Sequence, residues 1–297
     1  MATGRIELVI SETQPAFSKN TGFVFDWDDT LMLTNWCVAR GLKFDAKGVP
    51  TGVTAEMIRE CSRVASYVAS VILLAKQFGS VMIVTNASKF WVETSCSILM
   101  PSIRDLILSL PIISAADIYE KTSPDTMAWK RFAFRKEVLQ TAFGDSTLAM
   151  RTLVSIGDGE AERQASKSLL GFHAPCGSIV PQTIKFSPSS YPDNLIAQLD
   201  ATANLIPMVI MESRHMDLVW NYFTFQEAPS GLMRHRCPSP PRLGEIDDDE
   251  PLRSNLSLQL VRSAKPKKTG RATTPYPRYE TLSQEALFQQ IKIEIHG

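Results

Sequence analysis

The chain has little of what marks several familiar classes of protein. Its four histidines (His173, His215, His235, His296) have no metal-ligand spacing, and neither a Gly-x-Gly-x-x-Gly loop nor a P-loop is present. The five cysteines (Cys37, Cys61, Cys96, Cys176, Cys237) are odd in number and contain no Cys-x-x-Cys pair. That argues against a disulfide framework or a zinc knuckle and favours a reducing compartment. Charge of one sign is not in excess: 31 Lys and Arg face 31 Asp and Glu. Nothing global therefore steers the chain to nucleic acid or an anionic membrane, and any such partner must be read from local patches. The first residues lack the basic start and apolar stretch of a signal peptide, and Ala2 excludes N-myristoylation. The longest apolar stretch, Val64 to Ala75, lies between Arg63 and Lys76 and is too short to span a bilayer. It reads as a buried helix face. The expected location is cytoplasmic, with the nucleus as the alternative and no membrane. No internal repeat is found.

What the chain does have is a hydrophobic fraction of 44% in 297 residues, enough for one α/β domain with tails. Residues 1–20 read as an irregular lead-in with one short strand at Ile6–Ile10. Residues 21–225 read as the globular domain. Its strands are expected at Phe23–Asp26, Ser80–Asn86, Leu110–Ser114, Thr152–Gly157 and Pro181–Phe186. Between them, helices are expected from Thr54 (N-cap) to Phe78, Phe90 to Met100, Ser123 (N-cap) to Phe143, Glu160 to Leu170, and Asp193 to Glu212. Ile58, Cys61, Val64, Ala65, Val68, Val71, Ile72 and Ala75 recur at helical spacing. Met127, Phe132, Phe134 and Val138 are the apolar positions expected for the helix after Ser123. Strands alternating with helices predict a doubly wound parallel α/β sheet, which binds its ligands beyond the carboxyl ends of the strands. The glycine-rich segment 32–52 fits a small hairpin flap.

One stretch organises this domain. Phe23-Val24-Phe25-Asp26-Trp27-Asp28-Asp29-Thr30-Leu31 is an apolar run that ends in closely spaced carboxylates. Aspartates at a strand end also serve simply to cap the next turn. Carboxylates brought together repel, so the cluster otherwise implies a bound hard metal or a shared proton. Thr85 and Asp158 end other expected strands, so they can converge on Asp26 and Asp28.

Together these stretches resemble the haloacid dehalogenase (HAD) superfamily over roughly residues 20–215. Asp26-Trp27-Asp28-Asp29-Thr30-Leu31 resembles its first motif, Val84-Thr85-Asn86-Ala87 its second, and Gly157-Asp158-Gly159-Glu160-Ala161-Glu162 its fourth. The resemblance implies a phosphomonoester hydrolase with Asp26 as nucleophile and Asp28 as general acid and base. Thr85 and Asn86 would bind the phosphoryl group. The third-motif lysine would be Lys130, which precedes Asp158 by 28 positions, with Lys121 as the alternative. Mg²⁺ would be held by Asp26, Asp28 (through its backbone carbonyl), Asp158 and Glu162. Two departures stand out: Asp29 sits where many members have glycine, and Glu162 where the motif usually has aspartate.

Spacing bears on the substrate. Only a flap and one helix fit between Leu31 and Val81, and about forty residues separate Asn86 from Lys130. That leaves no room for a full cap domain, so the site is expected to be open. An open site suits a macromolecular substrate, or one enclosed by a partner. Trp27, Trp36 and Phe44 are candidates to line it, with core packing as the equal alternative for residues so large and apolar. Residues 226–297 carry the acidic run Glu245–Glu250 and a basic stretch from Arg262 to Arg278, and are expected to be mostly disordered. Such a tail offers a segment to a partner protein, and its basic part leaves nucleic acid open. The competing reading is a regulatory or binding protein of the same fold with weak or no catalysis.

Overall fold

The computed structural model describes residues 20–144, 150–172, 177–188 and 191–222, together with strands at 256–262 and 278–282. The expected strand at Ile6–Ile10 lies outside them. In chain order the elements begin with β1 (Thr21–Phe25), α1 (Thr34–Ala39), the hairpin β2 (Lys43–Phe44) and β3 (Pro50–Thr51), α2 (Ala55–Phe78) and β4 (Ser80–Thr85). They continue with α3 (Lys89–Leu99), a 3₁₀ turn at Pro101–Ile103, α4 (Arg104–Leu108), β5 (Ile112–Ser114), α5 (Ala115–Tyr119) and α6 (Thr126–Ala133). A π-helical stretch, Phe134–Val138, joins α6 to α7 (Leu139–Phe143). Then come β6 (Met150–Gly157), α8 (Glu160–Lys167), β7 (Ser178–Lys185), α9 (Pro192–Met211), β8 (Asp217–Tyr222), β9 (Leu256–Arg262) and β10 (Arg278–Leu282).

Six parallel strands form the sheet in the order β5-β4-β1-β6-β7-β8, and β9 and β10 extend it antiparallel beyond β8. Side chains alternate between its faces, as the pleat requires. Phe23, Phe25, Val81, Ile83, Val154 and Ile156 join one core with α2, α3 and α9. Val24, Met82, Val84 and Leu153 join a second with α5 to α8. Burial on both faces explains why these strands read as continuous apolar runs. The strand order reverses direction between β1 and β6, the point at which sheets of this kind bind ligands beyond the carboxyl ends of their strands.

α2 follows from its sequence directly. Thr54 Oγ1 accepts the Met57 N–H at 3.2 Å, and one face from Met57 through Ala75 is buried. Ile58, expected on that face, is 39% exposed, because Met57 takes its place against the core. Gly79 ends the helix where any Cβ would strike the Thr21 carbonyl. The hairpin flap forms as expected in 32–52. α9 is long and apolar enough, by length and composition, to cross a membrane, and 50% of that window is buried inside the fold, where it packs on α2.

Several boundaries differ from expectation. Asp125, not Ser123, caps α6, accepting the Met127 N–H at 3.0 Å; Ser123 instead belongs to a separate turn after the unforeseen α5. Met127 and Phe132 are exposed, and Trp129, Ala133 and Phe134 supply the core contacts. β8 was not foreseen, and two stretches inside the segment expected to lack regular structure, 256–262 and 278–282, pair as strands at the sheet edge. Backbone pairing along an edge depends little on the composition that suggested disorder.

Candidate functional site

Asp26 follows the last residue of β1, and its N–H donates to the Ile156 carbonyl of β6 at 2.9 Å, extending the ladder by one bond. The chain then folds back tightly. The N–H groups of Leu31 and Met32 both donate to the Trp27 carbonyl, and the Asp29 N–H donates to the Met32 carbonyl at 2.7 Å. Asp29 pays for this turn with a φ of +53°, a left-handed conformation that aspartate tolerates better than most residues. That explains a position where glycine is the easier choice. Its carboxylate accepts the Asn35 N–H at 2.9 Å, so it caps α1 and does not enter the carboxylate cluster. Burial pushes it up to about 6.

At the end of β6 the chain turns into α8. Glu162, in the first turn of α8, folds back so that its Oε1 accepts the Gly159 N–H, half of a capping box. Gly157 permits this close approach, since a Cβ there would lie 2.6 Å from Glu162 Cγ. Opposite, α6 turns Lys130 inward. Lys130 Nζ lies 2.9 Å from Glu162 Oε2, in hydrogen-bond geometry, and 2.8 Å from Asp26 Oδ1, as an ion pair without it. A fully buried lysine is tolerated only when paired, and here two carboxylates hold it charged against the cost of burial. Lys121, the alternative, is exposed in the turn after α5 and takes no part.

Asp26, Asp158 and Glu162 each place an oxygen within 4.8 Å of the others. Burial pushes Asp26 up from the usual carboxylate range while Lys130 opposes it, and pushes Asp158 up to about 6 with help from the charges of Glu162 and Asp29. Burial also works to raise Glu162, but Lys130 and the Gly159 N–H outweigh it and hold it below the usual range. Lys130 and Lys185, whose Nζ donates to the Asp158 carbonyl at 2.6 Å, offset only part of the negative charge. The remainder suits a cation. Among the described residues Asp26 Oδ1 meets only the Lys130 ammonium, and the Asp158 carboxylate has only a long 3.5 Å contact from Thr30 Oγ1, so both have lone pairs to offer. Both Glu162 oxygens already accept, which makes Glu162 chiefly the anchor of Lys130. Of the three carboxylates, Asp26 and Asp158 could therefore hold a metal ion, with Glu162 close beside them.

Asp28 points elsewhere. Its Oδ1 accepts from Thr34 Oγ1 at 2.6 Å and from Trp91 Nε1 at 2.7 Å, and Thr85 Oγ1 lies 3.5 Å from its Oδ2. Its carboxylate lies outside the group of three. Thr85, at the end of β4, is buried and accepts the Ala87 N–H at 2.9 Å. Asn86 Nδ2 donates to the Thr126 carbonyl at 3.1 Å, tying β4 to the start of α6 and thus to Lys130; its Oδ1 is buried with no hydrogen-bond partner among the described residues.

Trp27 and Trp36 do not line the site. Trp27 is fully buried, donating to Ser95 Oγ at 3.1 Å, and Trp36 packs beneath Arg40. Phe44 stands at the flap, 48% exposed and edge-on to Trp91. Sequence reasoning missed Trp91, Thr34 and Lys185 and gave Thr30 no role beyond its place in the first motif. A Ser or Thr hydroxyl or an indole carries no charge pattern to mark it, and only the fold brings these groups to the strand ends. Comparisons with family models, with curated proteins and with solved structures found no match for this chain.

Proposed function

We propose that the chain is a Mg²⁺-dependent phosphomonoester hydrolase of the HAD type. The observation that carries this reading is the meeting of Asp26, Asp158 and Glu162 within 4.8 Å around buried Lys130 at the strand-order reversal. Asp26 is the nucleophile. Its carboxylate attacks phosphorus, the bond from phosphorus to the ester oxygen breaks, and Asp28 gives that oxygen a proton. Asp28, now ionised, takes a proton from water, which attacks the aspartyl-phosphate and releases inorganic phosphate. Lys130 offsets charge on Asp26 and the phosphoryl oxygens, and the Thr85 hydroxyl, beside Asp28, orients them. Mg²⁺, held by Asp26 and Asp158 with hard oxygen donors, would supply electrostatic neutralisation of the phosphoryl group.

The paths between β1 and β4 and between β4 and α6 hold a two-strand flap, the core helix α2, shorter helices and β5. They support an open site and a macromolecular or partner-enclosed substrate. The test is phosphate release from phosphomonoesters with and without Mg²⁺. Metal-dependent release by the wild type that is lost in Asp26→Asn is the expected result. Release that survives in Asp26→Asn would overturn the nucleophile assignment, and silence on small, protein and nucleic-acid substrates would favour a binding role for the fold.

A further inference from the structure

Asp28 is held from two elements by neutral donors. Thr34 Oγ1, from α1, and Trp91 Nε1, from α3, converge on Oδ1 at 2.6 and 2.7 Å, and among the described residues only the 3.5 Å contact with Thr85 reaches Oδ2. Two good donors on one oxygen oppose rotation of the carboxylate and leave the other oxygen open. Trp91 is itself fixed. It is 8% exposed, its N–H donates to the N-cap hydroxyl of Ser88 at 3.1 Å, and its ring meets that of Phe44 at 5.0 Å between centroids and 76° between planes. Edge-to-face contact is a favoured arrangement for such rings. Phe44 belongs to β2 of the flap, so the flap touches the residue that holds Asp28.

Resting on the reading of Asp28 as the proton donor, we propose that Trp91 is a positioning residue that turns Asp28 Oδ2 toward the leaving oxygen, with flap residue Phe44 seating the indole. An indole N–H suits this task because it donates and cannot accept, so it cannot draw the proton from Asp28. In the step concerned, the bond from phosphorus to the leaving oxygen breaks with its electron pair going to that oxygen. The proton on Oδ2 moves to the same oxygen, and Asp28 is left ionised. An alkoxide needs that proton; a nitrophenolate leaves without it.

The contact therefore predicts selective loss. Trp91→Phe keeps the ring and removes the donor. Its kcat/KM on a simple alkyl phosphate, which reads the steps through formation of the aspartyl-phosphate, should fall about tenfold or more, part of what general acid catalysis contributes, and on p-nitrophenyl phosphate about threefold or less. Phe44→Ala should show a weaker form of the same pattern. Equal losses on both substrates would mark a merely structural role and overturn the proposal, as would no loss on either. The indole N–H resonance of Trp91 in ¹⁵N-labelled protein tests the clamp independently of turnover. It should shift upfield and exchange about tenfold faster in Asp28→Ala, and an unchanged signal would overturn the proposal. Absence of any Asp26-dependent turnover by the wild type would sink the phosphatase reading, and with it the catalytic role, while the indole signal separately decides whether the clamp exists.

Discussion

Lys130 Nζ and Asp26 Oδ1 lie 2.8 Å apart with side chains only 3% and 9% exposed, and this pair joins α6 to the end of β1 across the strand-order reversal. Lys130 also binds Glu162, so it balances carboxylates from β1 and α8 at once. Lys130→Met should leave both carboxylates buried without their cation. We expect a loss of about 3–5 kcal/mol in urea unfolding, together with loss of any phosphate release. A variant as stable as the wild type would show that water or neighbouring groups already solvate Asp26 and Glu162.

The carboxylate cluster should respond to metal. Adding Mg²⁺ at about ten times its dissociation constant should stabilise the fold by about 1.4 kcal/mol, seen as a rise in Tm. Asp158→Asn should abolish that rise, because the open carboxylate is removed. A rise that persists in the variant would move the metal to another place.

Asp217 gives a pH prediction away from the cluster. Arg163 grips its carboxylate with two hydrogen bonds of 2.8 Å, and Lys167 Nζ and Thr183 Oγ1 add bonds of 2.9 and 2.6 Å. Burial works to raise it, but these donors prevail and hold it at about 2 against an ordinary 3.8. The folded pKa is depressed, so the stabilisation is present above the unfolded value and is lost as pH falls from about 4 toward 2. The difference of roughly 1.8 pH units corresponds to about 2 kcal/mol. Chemical unfolding between pH 5 and 2 should show that decline in the wild type, with a shallower one in Asp217→Asn.

At Asp29 the backbone decides. Asp29→Ala must hold a left-handed φ of +53° without a side-chain acceptor for the Asn35 N–H, whereas Asp29→Gly escapes the strain. The glycine variant should be the more stable of the two by about 1 kcal/mol. Equal stabilities would show that the turn relaxes.

Much of this was legible in the chain. Apolar runs ending in Asp26, Thr85 and Asp158 marked the strand ends, because parallel strands buried on both faces read as near-continuous apolar runs and a cluster of polar residues shows where the run stops. Lys130 was legible through its distance from Asp158, and its burial was not, since a lysine on a helix usually faces water. The roles of Trp91 and Thr34 were hidden for a related reason: a neutral donor acquires meaning only from the acceptor that the fold delivers to it. Trp27 was legible only as a choice between lining the site and packing, and the tight turn after Asp26 settles it by sending the indole into the core. The strands beyond β8 escaped because an edge recruits backbone, which composition does not report.

The π-helical stretch at Phe134–Val138 is where the long helix changes phase. At about 100° per residue, an uninterrupted α-helix from Thr126 to Phe143 would carry Leu139 and Phe143 round to the side away from Lys130. A π turn absorbs one additional residue, and the extra residue returns Val138, Leu139, Ala142 and Phe143 to the sheet along with Ala133 and Phe134. The helix therefore keeps two separate reading frames on one cylinder. The first is set by the charge that Lys130 must deliver to Asp26 and the second by the oily seam against β1. Losing a single residue between them would leave each half well formed and the two out of step.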